Sequence, residues 1–150
     1  MLTISIKKQA TPWKGIPTDF NVSDYEGFVY EIVNTLTLRR YIGRKYFWSK
    51  RKTKKVKGKK RKIIKKESDW RYYKSSSDEL KADITRYGLS GFTFEVLSLH
   101  KTRAQTNYAE VKEMFSRDVL YSLLPDGTYE YFNACILNRY YRQKQQLTED

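Results

Sequence analysis

The stretch Gly27-Phe28-Val29-Tyr30-Glu31-Ile32-Val33, followed beyond Asn34-Thr35 by Arg39-Arg40-Tyr41-Ile42-Gly43, decides how this chain folds. The first run is rich in β-branched and aromatic residues, Asn34-Thr35 marks a turn, and the second run extends again. Together they read as an antiparallel hairpin. Alternation along a strand puts Phe28, Tyr30 and Ile32 on one face, and the returning strand carries Tyr41 to the neighbourhood of Tyr30. Two phenols are thus expected to meet on the sheet.

Outward from the hairpin, Ser76-Ser77-Asp78-Glu79 has the Ser-x-x-Glu spacing of a capping box, Leu80, Ile84 and Tyr87 repeat at helical spacing, and Gly88 stands where a C-cap belongs. This predicts a helix over 77–87. Phe92-Thr93-Phe94-Glu95-Val96-Leu97 alternates like a strand and supplies a third member of the sheet. Thr106 or Asn107 is positioned to cap a second helix over 107–121, with Tyr108, Val111, Phe115 and Val119 as its buried stripe and Glu110 on the border. Pro125-Asp126-Gly127 forces a turn, and Phe132-Asn133-Ala134-Cys135-Ile136-Leu137 brings the chain back to the core. Residues 1–24 read as an extended arm, with room for a short strand over 2–6. The expected fold class is α/β of the α+β type: a small three-stranded antiparallel sheet flanked by helices, with a basic insertion after the second strand.

A length of 150 residues suits one domain, here 1–150 with its core over 27–133. The net charge of +13 is concentrated: residues 44–66 hold fourteen Lys and Arg and no acid, which leaves 16 basic against 17 acidic side chains elsewhere. A near-neutral body carrying one intensely cationic segment is built to meet a polyanion. Arg44, Lys45, Lys50, Lys52, Lys54, Lys55, Lys57, Lys59, Lys60, Arg61 and Lys62 are therefore the expected contacts to nucleic acid, the segment reading as a solvated loop or ribbon. Its few apolar residues make no continuous face for a membrane. No apolar run approaches the roughly 20 residues of a spanning helix, and the first residues lack a secretory h-region, so a cytoplasmic protein is expected. One cysteine (Cys135) and one histidine (His100) exclude a Cys/His zinc site and disfavour a Ser-His-Asp triad. Any catalysis must use Tyr, Arg, Lys and carboxylates.

Gly27-Phe28-Val29-Tyr30 and Tyr41-Ile42-Gly43, at a hairpin's distance, resemble the two signature motifs of the GIY-YIG nuclease family, most closely its small phage-encoded members of the Seg-like type. Ser75-Ser76 through Leu80, Ile84 and Tyr87-Gly88 resembles the family's central helix, and Phe94-Glu95-Val96-Leu97 its third strand. Glu110 in the next helix and Asn133 after an aromatic residue stand in the family's order. The resemblance implies a metal-dependent DNA endonuclease acting on duplex DNA, in the host cytoplasm if phage-encoded. It implies that Tyr30, with Tyr41 beside it, positions and deprotonates water, and that Gly43 completes the second motif. Glu110 would hold one Mg²⁺ or Mn²⁺ near the leaving oxygen, and Asn133 would orient Glu110 or the waters of the cation. The family's phosphate-binding Arg has three candidates here, Arg51, Arg71 and Arg44, and Tyr73 stands where a family His would be.

Each residue also has a plainer reading. Tyr30 and Tyr41 could pack a sheet, Glu110 could be a solvated helix carboxylate near Lys112 and Arg117, and Glu113 is a fallback ligand. Trp48 and Trp70 could stack on bases or serve as core and rim aromatics. The rival of a different class is a catalytically inactive module that binds DNA or RNA on the same fold.

Overall fold

The computed structural model describes residues 5–143. The order of elements is β1 (Trp13–Lys14), β2 (Gly27–Asn34), β3 (Arg40–Tyr46), β4 (Trp48–Lys52), β5 (Ile63–Glu67), α1 (Asp78–Tyr87), β6 (Phe92–His100), α2 (Arg103–Ser116), β7 (Cys135–Ile136) and β8 (Tyr140–Tyr141), with short 3-10 turns between some of them. The central sheet runs β1-β6-β2-β3. Its three long strands are antiparallel, as the hairpin and the 92–97 alternation predict. The expected three-stranded sheet has a fourth member, because Trp13–Lys14 adds to β6 in parallel. Two residues are too few to show any alternation. The short strand expected over 2–6 lies largely outside the described residues, and Ile6 begins a 3-10 turn.

Alternation on β2 builds two cores. Phe28, Tyr30 and Ile32 pack with Phe94, Leu80 and Ile84 on the α1 side, whereas Val29 packs with Ile42 and Met114 on the α2 side. The sheet is therefore a middle layer, and each Phe or Ile fully buried in it contributes roughly 1.5–3 kcal/mol. Asn34 closes the β2–β3 turn: its carbonyl oxygen accepts from the Leu36 and Thr37 N–H groups, and its amide donates to Asp83 of α1.

Helix α1 matches the predicted span within one residue, and Gly88, at φ +82°, ends it. The cap is Ser77, whose hydroxyl accepts from Leu80 N–H, so the Ser76-x-x-Glu79 box does not form. Glu79 pairs with Arg39 instead, and Ser76 is released for another contact. Helix α2 begins four residues before the predicted 107, because Thr102 caps it by accepting from Gln105 N–H. The stripe shifts accordingly: Tyr108 and Phe115 are exposed, while Thr106 and Met114 face the sheet. Val119 is buried beyond the helix end, after Asp118 turns the chain at φ +50°.

The basic segment takes the ribbon alternative rather than the loop. Arg44, Lys45 and Tyr46 complete β3, after which β4 and β5 pair as a two-stranded antiparallel ribbon joined by residues 53–62. The Pro125-Asp126-Gly127 turn forms, Leu124 N–H donating to Thr128 C=O. The returning chain lies along β3, with Arg40 N–H donating to Glu130 C=O and Phe132 N–H to Arg40 C=O.

Candidate active site

The two motif glycines are where two close approaches occur. A Cβ on Gly43 would stand 2.4 Å from the Tyr30 hydroxyl oxygen and 2.9 Å from Tyr41 Cε1. Tyr30 and Gly43 are register partners on β2 and β3, so the Tyr30 ring lies flat across the space that a side chain at 43 would occupy. A Cβ on Gly27 would stand 2.9 Å from Thr106 Oγ1 and 3.0 Å from Lys45 C=O. That contact seats α2 on β2, and Glu110 follows Thr106 one turn later.

Tyr30 is 1% exposed. Its ring packs edge-on to Trp13 at 5.2 Å and to Tyr73 at 6.2 Å, and lies 6.2 Å from the tilted ring of Tyr41. A shift in β2–β6 register between Val29 and Tyr30 aims this side chain, as bulges beside active sites often do. Tyr41 is half-buried, and its hydroxyl lies 3.3 Å from Ser76 Oγ, the contact that the displaced helix cap makes possible. Ser75, at φ +98° and buried, holds this corner, its hydroxyl accepting from Ser77 N–H at 2.8 Å.

Both phenols are pushed above the ordinary tyrosine range. For Tyr30 the shift is large, caused first by burial, then by Tyr73 and Tyr41, with the Glu110 carboxylate adding to it. Burial also dominates for Tyr41, again with a contribution from Glu110 and against hydrogen bonds from Ser76 and Ser75. The direction is the one that burial gives, and opposite to the one that a field of Lys and Arg would give. Glu110 adds to both shifts, in keeping with the position of α2 against the hairpin that the Thr106–Gly27 approach and the Arg44–Glu110 ion pair fix.

Glu110 is paired with Arg44, Nε to Oε1 at 3.3 Å, and its carboxyl is raised by burial and partly lowered again by Arg44. Glu113 is committed to Arg117 at 2.9 Å. Of the three arginine candidates only Arg44 touches Glu110. Arg71 pairs with Glu67 at 3.2 Å and lies over the Trp70 ring, and Arg51 is exposed on the ribbon. Asn133 is 4% exposed and its side chain is spent on the backbone of one residue: Oδ1 accepts from Ile42 N–H at 3.0 Å and Nδ2 donates to Ile42 C=O at 2.8 Å. It therefore braces the centre of the second motif rather than bonding Glu110. Lys45 lies over the Tyr73 ring at 4.0 Å and pairs with Asp69 at 2.6 Å. Ser76, Tyr73 and Lys45 thus join the tyrosine cluster. The Lys45 contact had no local sequence signal, since it depends on a loop folding back over β3.

Trp70 is core, its indole donating to Glu67, and is not free to stack on bases. Trp48 is half-buried and donates to Tyr25 C=O. His100 bonds Ser98 Oγ at 2.7 Å, a structural pairing. No group of three or more His, Cys, Asp or Glu side chains that could cage a metal occurs among the described residues. No helix among them is long and apolar enough to cross a membrane.

The sheet thus carries two tyrosines packed around Gly43, and α2 carries a carboxylate ion-paired to Arg44 of the same strand. The family model described as "Putative endonuclease segE, GIY-YIG domain" matches residues 9–136, and the chain belongs to that family of phosphodiester-hydrolysing endonucleases. Neither the curated proteins nor the solved structures yield a match.

Proposed function

We propose that the chain is a metal-dependent endonuclease of double-stranded DNA whose reaction is carried by Tyr41, Tyr30, Arg44 and Glu110. The observation that supports this most directly is the ion pair of Arg44 with Glu110 at 3.3 Å, which, with the close approach of Thr106 to Gly27, brings both motifs and α2 to one place. In hydrolysis the water oxygen joins phosphorus, the bond to the 3′ oxygen breaks, and the proton ends on the departing oxygen. Tyr41, half-exposed, is the phenol that meets the water. Tyr30 is covered and fixes Tyr41 from beneath. Both remain protonated at neutral pH, so they orient the water by hydrogen bonding rather than by removing its proton. Arg44 contacts the phosphate, and its present partner Glu110 is released from it as the phosphate binds. Arg71, paired with Glu67, and Arg51, exposed on the ribbon, are not given this role.

The donors at the site are carboxylate and phenol oxygens, a hard set that suits a Mg²⁺ or Mn²⁺ ion keeping much of its water. Glu110 would hold the ion, which when bound neutralises charge on the leaving oxygen. Asn133 keeps β3 in place through Ile42. The cationic ribbon, chiefly its 53–62 connection, grips the duplex backbone.

The test is nicking of a supercoiled plasmid with and without Mg²⁺, beside Tyr41→Phe and Glu110→Ala, with binding measured in parallel. Both variants are expected to bind DNA and to lose cleavage by orders of magnitude. Binding without cutting by the unmodified protein under any divalent ion would leave a nucleic-acid-binding module instead.

A further inference from the structure

The ribbon has two unlike faces. Lys50 and Lys65 are cross-strand partners, and both reach the carboxylate of Glu26, at 3.2 and 3.5 Å. On the same side, Trp48 donates to Tyr25 and lies under Lys65, and Glu67 accepts from Trp70. This inner face pins the ribbon to the body of the protein. Strand alternation turns Ser49, Arg51, Ile64 and Lys66 to the other side. None of these four side chains makes a hydrogen bond or ion pair among the described residues.

Gripping phosphates needs cations and nothing more, yet Ile64 stands opposite Arg51 with 41% exposure and no core behind it. We propose that this outer face enters the major groove of duplex DNA and reads base edges, with Arg51 on guanine and Ile64 on the methyl group of thymine. The proposal rests on the reading of the protein as a DNA-acting enzyme. The shape fits: a major groove about 12 Å wide admits a two-stranded ribbon, whose strands lie about 4.8 Å apart. Register partners lie about 5 Å apart at Cβ, against a rise of about 3.4 Å per base pair. Arg51 and Ile64 therefore address adjacent base pairs. Arginine forks onto guanine O6 and N7, and the thymine methyl takes an apolar partner. The 53–62 connection carries seven Lys and Arg and no acid, and so suits the phosphates that flank the groove. A continuous apolar surface for a lipid face is lacking, since the outer strand positions around Ile64 are Ser49, Arg51 and Lys66.

The experiment is selection of bound duplexes from a randomised pool without divalent ions, for the full chain and for Arg51→Lys, Arg51→Ala and Ile64→Ser. The unmodified protein is expected to enrich a guanine beside a thymine. Arg51→Lys keeps the charge and loses the fork, so it should retain general affinity while discrimination at the guanine falls by roughly 10-fold. Ile64→Ser should flatten the thymine position alone, and uracil in place of that thymine should weaken binding of the unmodified protein to the same degree. No enrichment at all, or equal weakening on every sequence, overturns the proposal. So does an Arg51→Ala protein that keeps its preference but cuts nothing, which would make Arg51 a catalytic residue. An unmodified protein that selects this step yet never cuts upholds the groove reading and overturns the nuclease reading.

Discussion

Replacing Gly43 by Ala adds one methyl group where the structure has none to spare. The new carbon would lie 2.4 Å from the Tyr30 hydroxyl oxygen and 2.5 Å from Cζ, where ordinary contact begins near 3.4 Å, so the ring must retreat by roughly 1 Å. It has nowhere to go, because Phe28, Trp13 and Tyr73 close the other sides. Overpacking of this kind costs about 1–3 kcal/mol, and each kcal/mol lowers the unfolding midpoint by about 2–4 °C in a chain of this size. A 1 Å displacement of a positioning group can also cost about 100-fold in rate. The expected result is a protein that still folds, melts a few degrees lower by circular dichroism, and nicks plasmid about 100 times more slowly. Adding Tyr30→Leu removes the two closest atoms and leaves Tyr41 Cε1 at 2.9 Å, so the double variant should regain part of the lost stability and remain inactive. That split separates strain from chemistry. A Gly43→Ala protein with unchanged melting and unchanged nicking would refute the interlock of the two motifs.

Three further outcomes follow from the geometry. Asn133→Ala leaves the N–H and C=O of Ile42 without their partner, at about 1–3 kcal/mol for each group left unpaired; hydrogen exchange at the Ile42 amide should quicken, and unchanged protection would show that Asn133 does not brace β3. The Glu110 carboxyl is raised by burial, so the folded chain holds that proton more tightly than the unfolded chain does; this contribution to stability is complete below the ordinary carboxylate range and is lost as pH rises through the folded value. Arg44→Ala removes the opposing cation and should move the acid limb of the cleavage–pH profile to higher pH, whereas a fixed limb would separate Glu110 from the rate. Changing Lys54, Lys55, Lys57, Lys59 and Lys60 to Gln should shallow the slope of log affinity against log salt by about 0.9 for each lost phosphate contact; an unaltered slope would assign the 53–62 connection to something other than DNA.

Helix α1 and β6 were legible because each buries one face and burial writes a period into the sequence, and β2 because both its faces are buried, which makes it a near-continuous run of β-branched and aromatic residues. Phe92, Phe94 and Val96 alternate for that reason, whereas Val29 is buried between Phe28 and Tyr30. The ribbon has no such period, because Lys50, Lys52, Ile63 and Lys65 meet no core; it is held by cross-strand hydrogen bonds and by Glu26. The stripe on α2 misled for a related reason. Tyr108 and Phe115 have helical spacing and apolar rings, but α2 turns Thr106 and Met114 to the sheet, Thr106 against Gly27, and this leaves Tyr108 and Phe115 exposed.

The same reasoning explains why the candidate site was readable as a set of residues and unreadable as a geometry. Its parts sit where local preference is broken: glycines inside strands at 27 and 43, a serine at φ +98° before α1, and a carboxylate turned towards the sheet on α2. Each of these costs stability locally and is held by packing elsewhere. The identity of such residues can be seen in the sequence because they are out of place there. What they hold in place, the Tyr30 ring over Gly43, Ser76 beside Tyr41 and Arg44 on Glu110, depends on contacts between elements far apart in the chain, and those exist only after the sheet and α2 have closed on one another.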